Sequence, residues 1–146
     1  MRNASINLLA AAILLQIAGC SPDGLTFADP WIPAAPPNVG TLAGYVEVRN
    51  GTDQPLVIVR ATSPAFEEVT FHRTETDEGL VRMIEVPDLP LPPGGSFALK
   101  PGGYHLMLIA PRQPLRAGDN VEVTLAAADG RRFDVTFEVR RMNFLL

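Results

Sequence analysis

A chain of 146 residues can close one packed core but not two, and a composition that is 47% hydrophobic and 19% charged suits a single folded unit. The net charge of -4 and the lack of any Lys/Arg run longer than a pair exclude the concentrated basic face that phosphate neutralisation requires, so nucleic acid is no partner. The 14 prolines and 12 glycines punctuate short apolar runs instead of forming one low-complexity tract, which points to an all-β fold and away from disorder.

Arg2 is the one charge ahead of an apolar stretch from Ile6 to Ile17, which ends in Ile17-Ala18-Gly19-Cys20. About a dozen residues interrupted by Asn7 and Gln16 fall short of the roughly 20 that a membrane-spanning helix needs, so residues 1–19 read as a secretion signal. The end of that signal looks like a bacterial lipobox, in which the Cys sulfur is acylated and the chain is cut just before it. Cys20, the only cysteine, then becomes a lipidated N-terminus, and two or more acyl chains hold a protein stably on a membrane, inner or outer. The other reading of Cys20 is a cysteine within an ordinary signal. Residues 20–28 are polar, contain Gly and Pro and show no period, so they read as a tether, with the domain spanning 29–146.

Ala34-Ala35-Pro36-Pro37-Asn38 is a loop, because consecutive prolines cannot donate to a ladder and also restrict the residue before them. Short β-rich runs follow at about Leu42–Arg49, Leu56–Ala61, Phe66–Arg73, Leu80–Val86, Ser96–Lys100, Tyr104–Ile109, Val121–Ala127 and Arg132–Arg140, the spacing of a sandwich or barrel. Asp129-Gly130 between the last two is a type I′ hairpin signal. In the last run Phe133, Val135, Phe137 and Val139 alternate with polar residues, giving one buried and one wet face. No helical period and no internal repeat appears.

The chain holds two histidines and, after the initiator, three methionines. Four of these five form one pattern: His72, ten residues, Met83, twenty-one residues, His105, one residue, Met107; the fifth is Met142. His105 and Met107 share a strand face, with Leu106 and Leu108 toward the core, and Pro101-Gly102-Gly103 turns the chain just before them. His72 is expected to close its strand, with Val69 and Phe71 inward and a polar loop from Thr74 to Gly79 bringing Met83 back across the pair. Thioethers are soft neutral donors that favour Cu(I), and imidazole also accepts copper. Two of each need no thiolate, which suits an oxidising compartment. Holding copper less tightly than thiolates do, they fit a donor and not a store.

A blue-copper site needs Cys and a structural zinc site of the Cys-rich kind is impossible here. No Gly-x-Ser-x-Gly elbow marks a hydrolase, and the chain does not read as an enzyme. Taken singly, Met83 fits core filling, His72 fits a surface or hydrogen-bonded histidine, Trp31 and Tyr45 fit packing roles, and the Pro101-Gly102-Gly103 turn fits backbone geometry alone. The joint pattern is what raises the metal reading above these.

At these residues the sequence resembles the periplasmic copper(I) chaperones known as PCuAC-type proteins, whose His, ten, Met, twenty-one, His, one, Met spacing it matches in full. Asp29-Pro30-Trp31-Ile32, Gly44-Tyr45-Val46, Asn50 and Pro101-Gly102-Gly103-Tyr104-His105-Leu106-Met107-Leu108 fit as well, so the likeness spans roughly Phe27 to Arg140. The resemblance implies a cupredoxin-like Greek-key β-sandwich. It further implies a monomer that binds one Cu(I) through His72, Met83, His105 and Met107 in the periplasm. Delivery to the dinuclear copper centre of cytochrome c oxidase, alone or with a thioredoxin-like assembly factor, is the implied role. Two departures stand out: Arg73 replaces the Met that many members carry after the first His, and the chain ends at Leu146 without a His/Met-rich tail. Two other readings remain open, a metal-free β-sandwich interaction module of the envelope and a copper buffer for resistance.

Overall fold

The computed structural model describes residues 24–142; the segment expected to be a secretion signal, Cys20 and the last four residues lie outside them. Ten strands follow one another: β1 (Leu25–Pro33), β2 (Thr41–Asn50), β3 (Leu56–Thr62), β4 (Phe66–Asp77), β5 (Leu80–Val86), β6 (Leu89–Leu91), β7 (Ser96–Leu99), β8 (Tyr104–Pro111), β9 (Asn120–Ala127) and β10 (Arg132–Arg140). They form one ladder in the order β5-β4-β8-β7-β2-β1-β10-β9-β3-β6, with β8 also pairing directly to β2. The ladder folds over a single core, so that β3 meets β4 and β6 meets β7. Its connections run out of sequence order, in the cupredoxin-like manner that the family resemblance implies.

The core follows from strand alternation. Phe133, Val135, Phe137 and Val139 of β10 are buried while Asp134, Thr136 and Glu138 are exposed, and Val121, Val123 and Leu125 of β9 join them. Phe66, Val69 and Phe71 of β4 and Leu106 and Leu108 of β8 come from the other end of the ladder into the same cluster. Asn50 is fully buried and fully satisfied: its amide donates to the carbonyls of Gln54 (2.7 Å) and Leu91 (3.1 Å), and its oxygen accepts from the Thr52 amide and hydroxyl.

Two strands escape the sequence reading. The last four residues of the segment assigned to the tether open β1: Leu25 to Ala28 pair with Asn50 to Glu47 of β2, and Leu25 is completely buried, so the folded unit begins before Asp29. A bulge between Ala28 and Trp31, with Asp29 at φ 50°, breaks the alternation that would have revealed the strand. Arg140 pins that bulge by donating to Asp29 at 2.6 Å, and β1 then continues in parallel with β10. β6 is only three residues long and contains Pro90, too short for a period to register, yet Leu89 and Leu91 are core residues.

The β9–β10 turn also differs. Only Gly130 of the Asp129-Gly130 pair takes positive φ (92°), and Gly130 N–H donates to the Ala127 carbonyl while Ala127 N–H donates to that of Arg131. This is a three-residue loop with a left-handed glycine, not a type I′ turn. The Asp129 carboxylate accepts from the Arg131 amide and guanidinium, which makes the longer loop self-sufficient.

Candidate metal centre

β4 lies between β5 and β8, and the register of its two pairings decides what meets on its outward face. On one side His72 stands directly opposite His105 and Thr70 opposite Met107. On the other, His72 faces Glu85 and Thr74 faces Met83. Directly opposed residues share a face, as do residues two apart on one strand. Both histidines and both methionines of the sequence pattern therefore project from the same face of three adjacent strands. Val69, Phe71, Leu106 and Leu108 occupy the opposite, buried face and fix the alternation.

His72 does not close its strand. β4 runs five residues further, to Asp77, and the expected loop from Thr74 to Gly79 is strand plus a two-residue turn, Glu78-Gly79, with φ of 46° and 83°. Positive φ at both positions matches strand twist in tight hairpins. The longer strand sets Met83 one pair beyond His72, on the diagonal, with its side chain 58% exposed. Met107 is diagonal to His72 on the other side, two residues from His105, and half-buried. Diagonal neighbours lie within about 7–8 Å, inside the reach of the three-torsion thioether chain.

The two imidazoles stack with ring centroids 6.0 Å apart and planes at 21°. His105 is 4% exposed. Its Nδ1 lies 3.1 Å from the Gly103 carbonyl, which can only accept, so Nδ1 carries the proton and Nε2 the free lone pair. Among the described residues that Nε2 is buried without a partner. An unsatisfied buried acceptor costs about 1–3 kcal/mol, a deficit that an ion bound at this nitrogen would remove. The arrangement is the one by which a backbone carbonyl fixes the tautomer of a ligating histidine. The same Gly103 carbonyl accepts the Thr74 amide (3.1 Å), which ties the Pro101-Gly102-Gly103 turn to β4, and Gly102 supplies φ 78° there.

His72 Nδ1 is 3.3 Å from the Thr70 hydroxyl. Burial pushes the His72 pKa below its ordinary value; the Glu85 carboxylate opposite acts upward and the neighbouring His105 downward. The net direction favours the neutral imidazole, the form that donates a lone pair to a metal. Thr70 and Glu85 were not singled out in the sequence. Thr70 shares the His72 face by strand alternation, two residues away, whereas only the register of β4 with β5 brings Glu85 opposite His72.

Among the described residues no group of three or more His, Cys, Asp or Glu is placed to hold a metal, and the face carries Glu85 and Thr70 beside the two imidazoles and two thioethers. Arg73 points to the other face and pairs with Glu75 at 2.5 Å. Met142 lies away from the three strands, where with Pro33, Ala43 and Arg141 it lines a cleft of about 450 Å³. Trp31 and Tyr45 pack against each other at 5.0 Å.

Residues 25–139 match the family described as "Putative lipoprotein LpqE-like". "Putative lipoprotein Lxx21020" of Leifsonia xyli subsp. xyli (strain CTCB07) is 33% identical, over 89% of this chain and 86% of its own. Among solved structures, "Copper-bound PCuAC domain from PmoF2" superposes with a TM-score of 0.69 at 22% identity, covering 82% of this chain and 94% of that one. "Solution structure of CuI-DR1885 from Deinococcus Radiodurans" superposes with a TM-score of 0.64 at 32% identity, covering 80% and 78%.

Proposed function

The chain belongs to the LpqE-like family, and on that premise we propose that it is a copper(I) carrier of the bacterial envelope, anchored by lipid at Cys20, that binds one Cu(I) through His72, Met83, His105 and Met107. The observation that supports this reading is the buried Nε2 of His105, without a partner among the described residues and left with the free lone pair by the Gly103 carbonyl, on the strand face that also carries His72, Met83 and Met107. Four neutral soft or borderline donors leave the +1 charge of Cu(I) uncompensated, which keeps affinity below that of a thiolate site. Transfer to a thiolate-containing acceptor is then downhill. The Cu(I) form of the Deinococcus radiodurans relative supports the same cargo here.

The recipient in this reading is the dinuclear copper centre of cytochrome c oxidase, reached directly or through a thioredoxin-like assembly factor in the periplasm. The protein carries the ion and does no chemistry on it. Anaerobic titration of the purified protein is expected to saturate at one Cu(I) per chain, and His105→Gln to abolish saturation. Full stoichiometric binding by that variant would refute the site. Deleting the gene should lower oxidase activity at limiting copper; intact oxidase with heightened sensitivity to excess copper would mean buffering instead of delivery.

A further inference from the structure

β5 ends the ladder: among the described residues its only strand partner is β4, and its other side is an open row of backbone donors and acceptors. Natural sheets protect such edges with proline, lysine, bulges or brevity. The opposite edge, β6, follows that rule, with three residues, Pro90 within it and Pro92-Pro93 after it. β5 does not. It has seven residues, no proline, no lysine and an unbroken register against β4. It also concentrates apolar surface, since Leu80, Val81 and Met83 are 55%, 60% and 58% exposed.

We propose that the free side of β5 is a docking edge for an extended cationic segment of a partner protein, which adds to the sheet as a further strand alongside Met83. Charge selects this occupant over a second copy. Exposed carboxylates bracket the strand, Asp77 and Glu78 at one end and Glu85 and Asp88 at the other, while Arg82 is its only cation. Two copies paired along β5 would set acid against acid at both ends in either orientation. A lysine-bearing strand meets opposite charge at both ends and apolar side chains between them. Backbone pairing supplies the affinity in such additions and alternate side chains the selectivity. That the partner exchanges copper rests on the function proposed above; the docking edge does not.

The test uses the copper-free full chain, labelled with ¹⁵N, and three capped heptapeptides: one alternating lysine with valine, its glutamate counterpart, and the lysine peptide with a methylated backbone. The lysine peptide is expected to slow hydrogen exchange of β5 amides at least tenfold at low salt, with the effect fading at high ionic strength. The glutamate and methylated peptides, and the lysine peptide on Val81→Lys, should leave those amides unchanged. Equal protection by lysine and glutamate peptides, protection of other strands, no protection, or self-association through β5 would each overturn the proposal. Copper binding is measured separately on the same protein. Its absence would remove only the copper-exchanging identity of the partner, and edge failure with copper binding intact would remove only the edge.

Discussion

Replacing Met83 by leucine separates a ligand from a packing residue because the side chain is more than half exposed. Volume-conserving exchange of Met for Leu costs under about 1.5 kcal/mol even in a core, and an exposed site away from special contacts stays within about 0.5 kcal/mol. The copper-free variant should therefore unfold at the wild-type midpoint within a degree or two. Loss of groups that merely orient ligands costs 10–100-fold in metal affinity, so removal of a ligand should cost on the order of 100-fold, or about 2.7 kcal/mol. At free Cu(I) of about 100 times the wild-type dissociation constant, linkage stabilises the wild type by about 2.7 kcal/mol, and the variant by only about 0.4 kcal/mol. For a domain of this size a kilocalorie shifts the midpoint by about 4 °C, so copper should raise the wild type by about 10 °C and the variant by about 2 °C. Thermal unfolding under anaerobic Cu(I) buffering reads both numbers. An equal rise in both proteins would refute the placement of Met83 in the site, and a large loss of stability without copper would show it to be a packing residue.

Protons compete with copper for the His72 imidazole. Because burial lowers the His72 pKa below 6.5, the affinity should be flat above about pH 6.5 and fall only at lower pH, as that ring protonates. The same sign governs the copper-free fold: a histidine whose pKa is lowered on folding binds its proton less readily than the unfolded chain does, so His72 should erode stability as pH falls below about 6.5. Denaturant midpoints at pH 5.5 and 7.5 check this, with no change in His72→Gln. Leu25→Ala should cost about 2–5 kcal/mol because the side chain is wholly buried in β1; a cost near zero in denaturant unfolding would restore the tether reading. Glu78→Asn should stabilise by about 0.5–1 kcal/mol by relieving a non-glycine residue at φ 46°, with copper binding unchanged; a lower unfolding midpoint would contradict the turn geometry.

The parts of the fold that could be read from sequence are those where alternation runs unbroken. β10 matches its expected bounds in full and β9 differs by one residue, since each carries a full set of in-out pairs; β5 also matches in full, although it is exposed along most of its length, because Gly79 and Pro87 bound its apolar run. β1 and β6 were invisible because a bulge at Asp29 and a proline at position 90 destroy the period while leaving the burial intact. At the proposed metal centre, donor types and spacing point to His72, Met83, His105 and Met107, and the two-residue step from His105 to Met107 gives those two a shared face. What spacing could not give was register. The end of β4 was misjudged because Thr74-Glu75-Thr76-Asp77 is as polar as a loop, yet it pairs with β5 and so sets which residues oppose His72. Gly103 fixes His105 through a carbonyl, a backbone group that no side-chain pattern announces.

X-ray absorption of the Cu(I)-loaded protein tests the account most directly, because sulfur and nitrogen neighbours separate by distance. The account predicts a first shell of two sulfurs and two imidazole nitrogens, with one sulfur lost in Met83→Leu. A loaded wild-type sample with no sulfur in its first shell would contradict it.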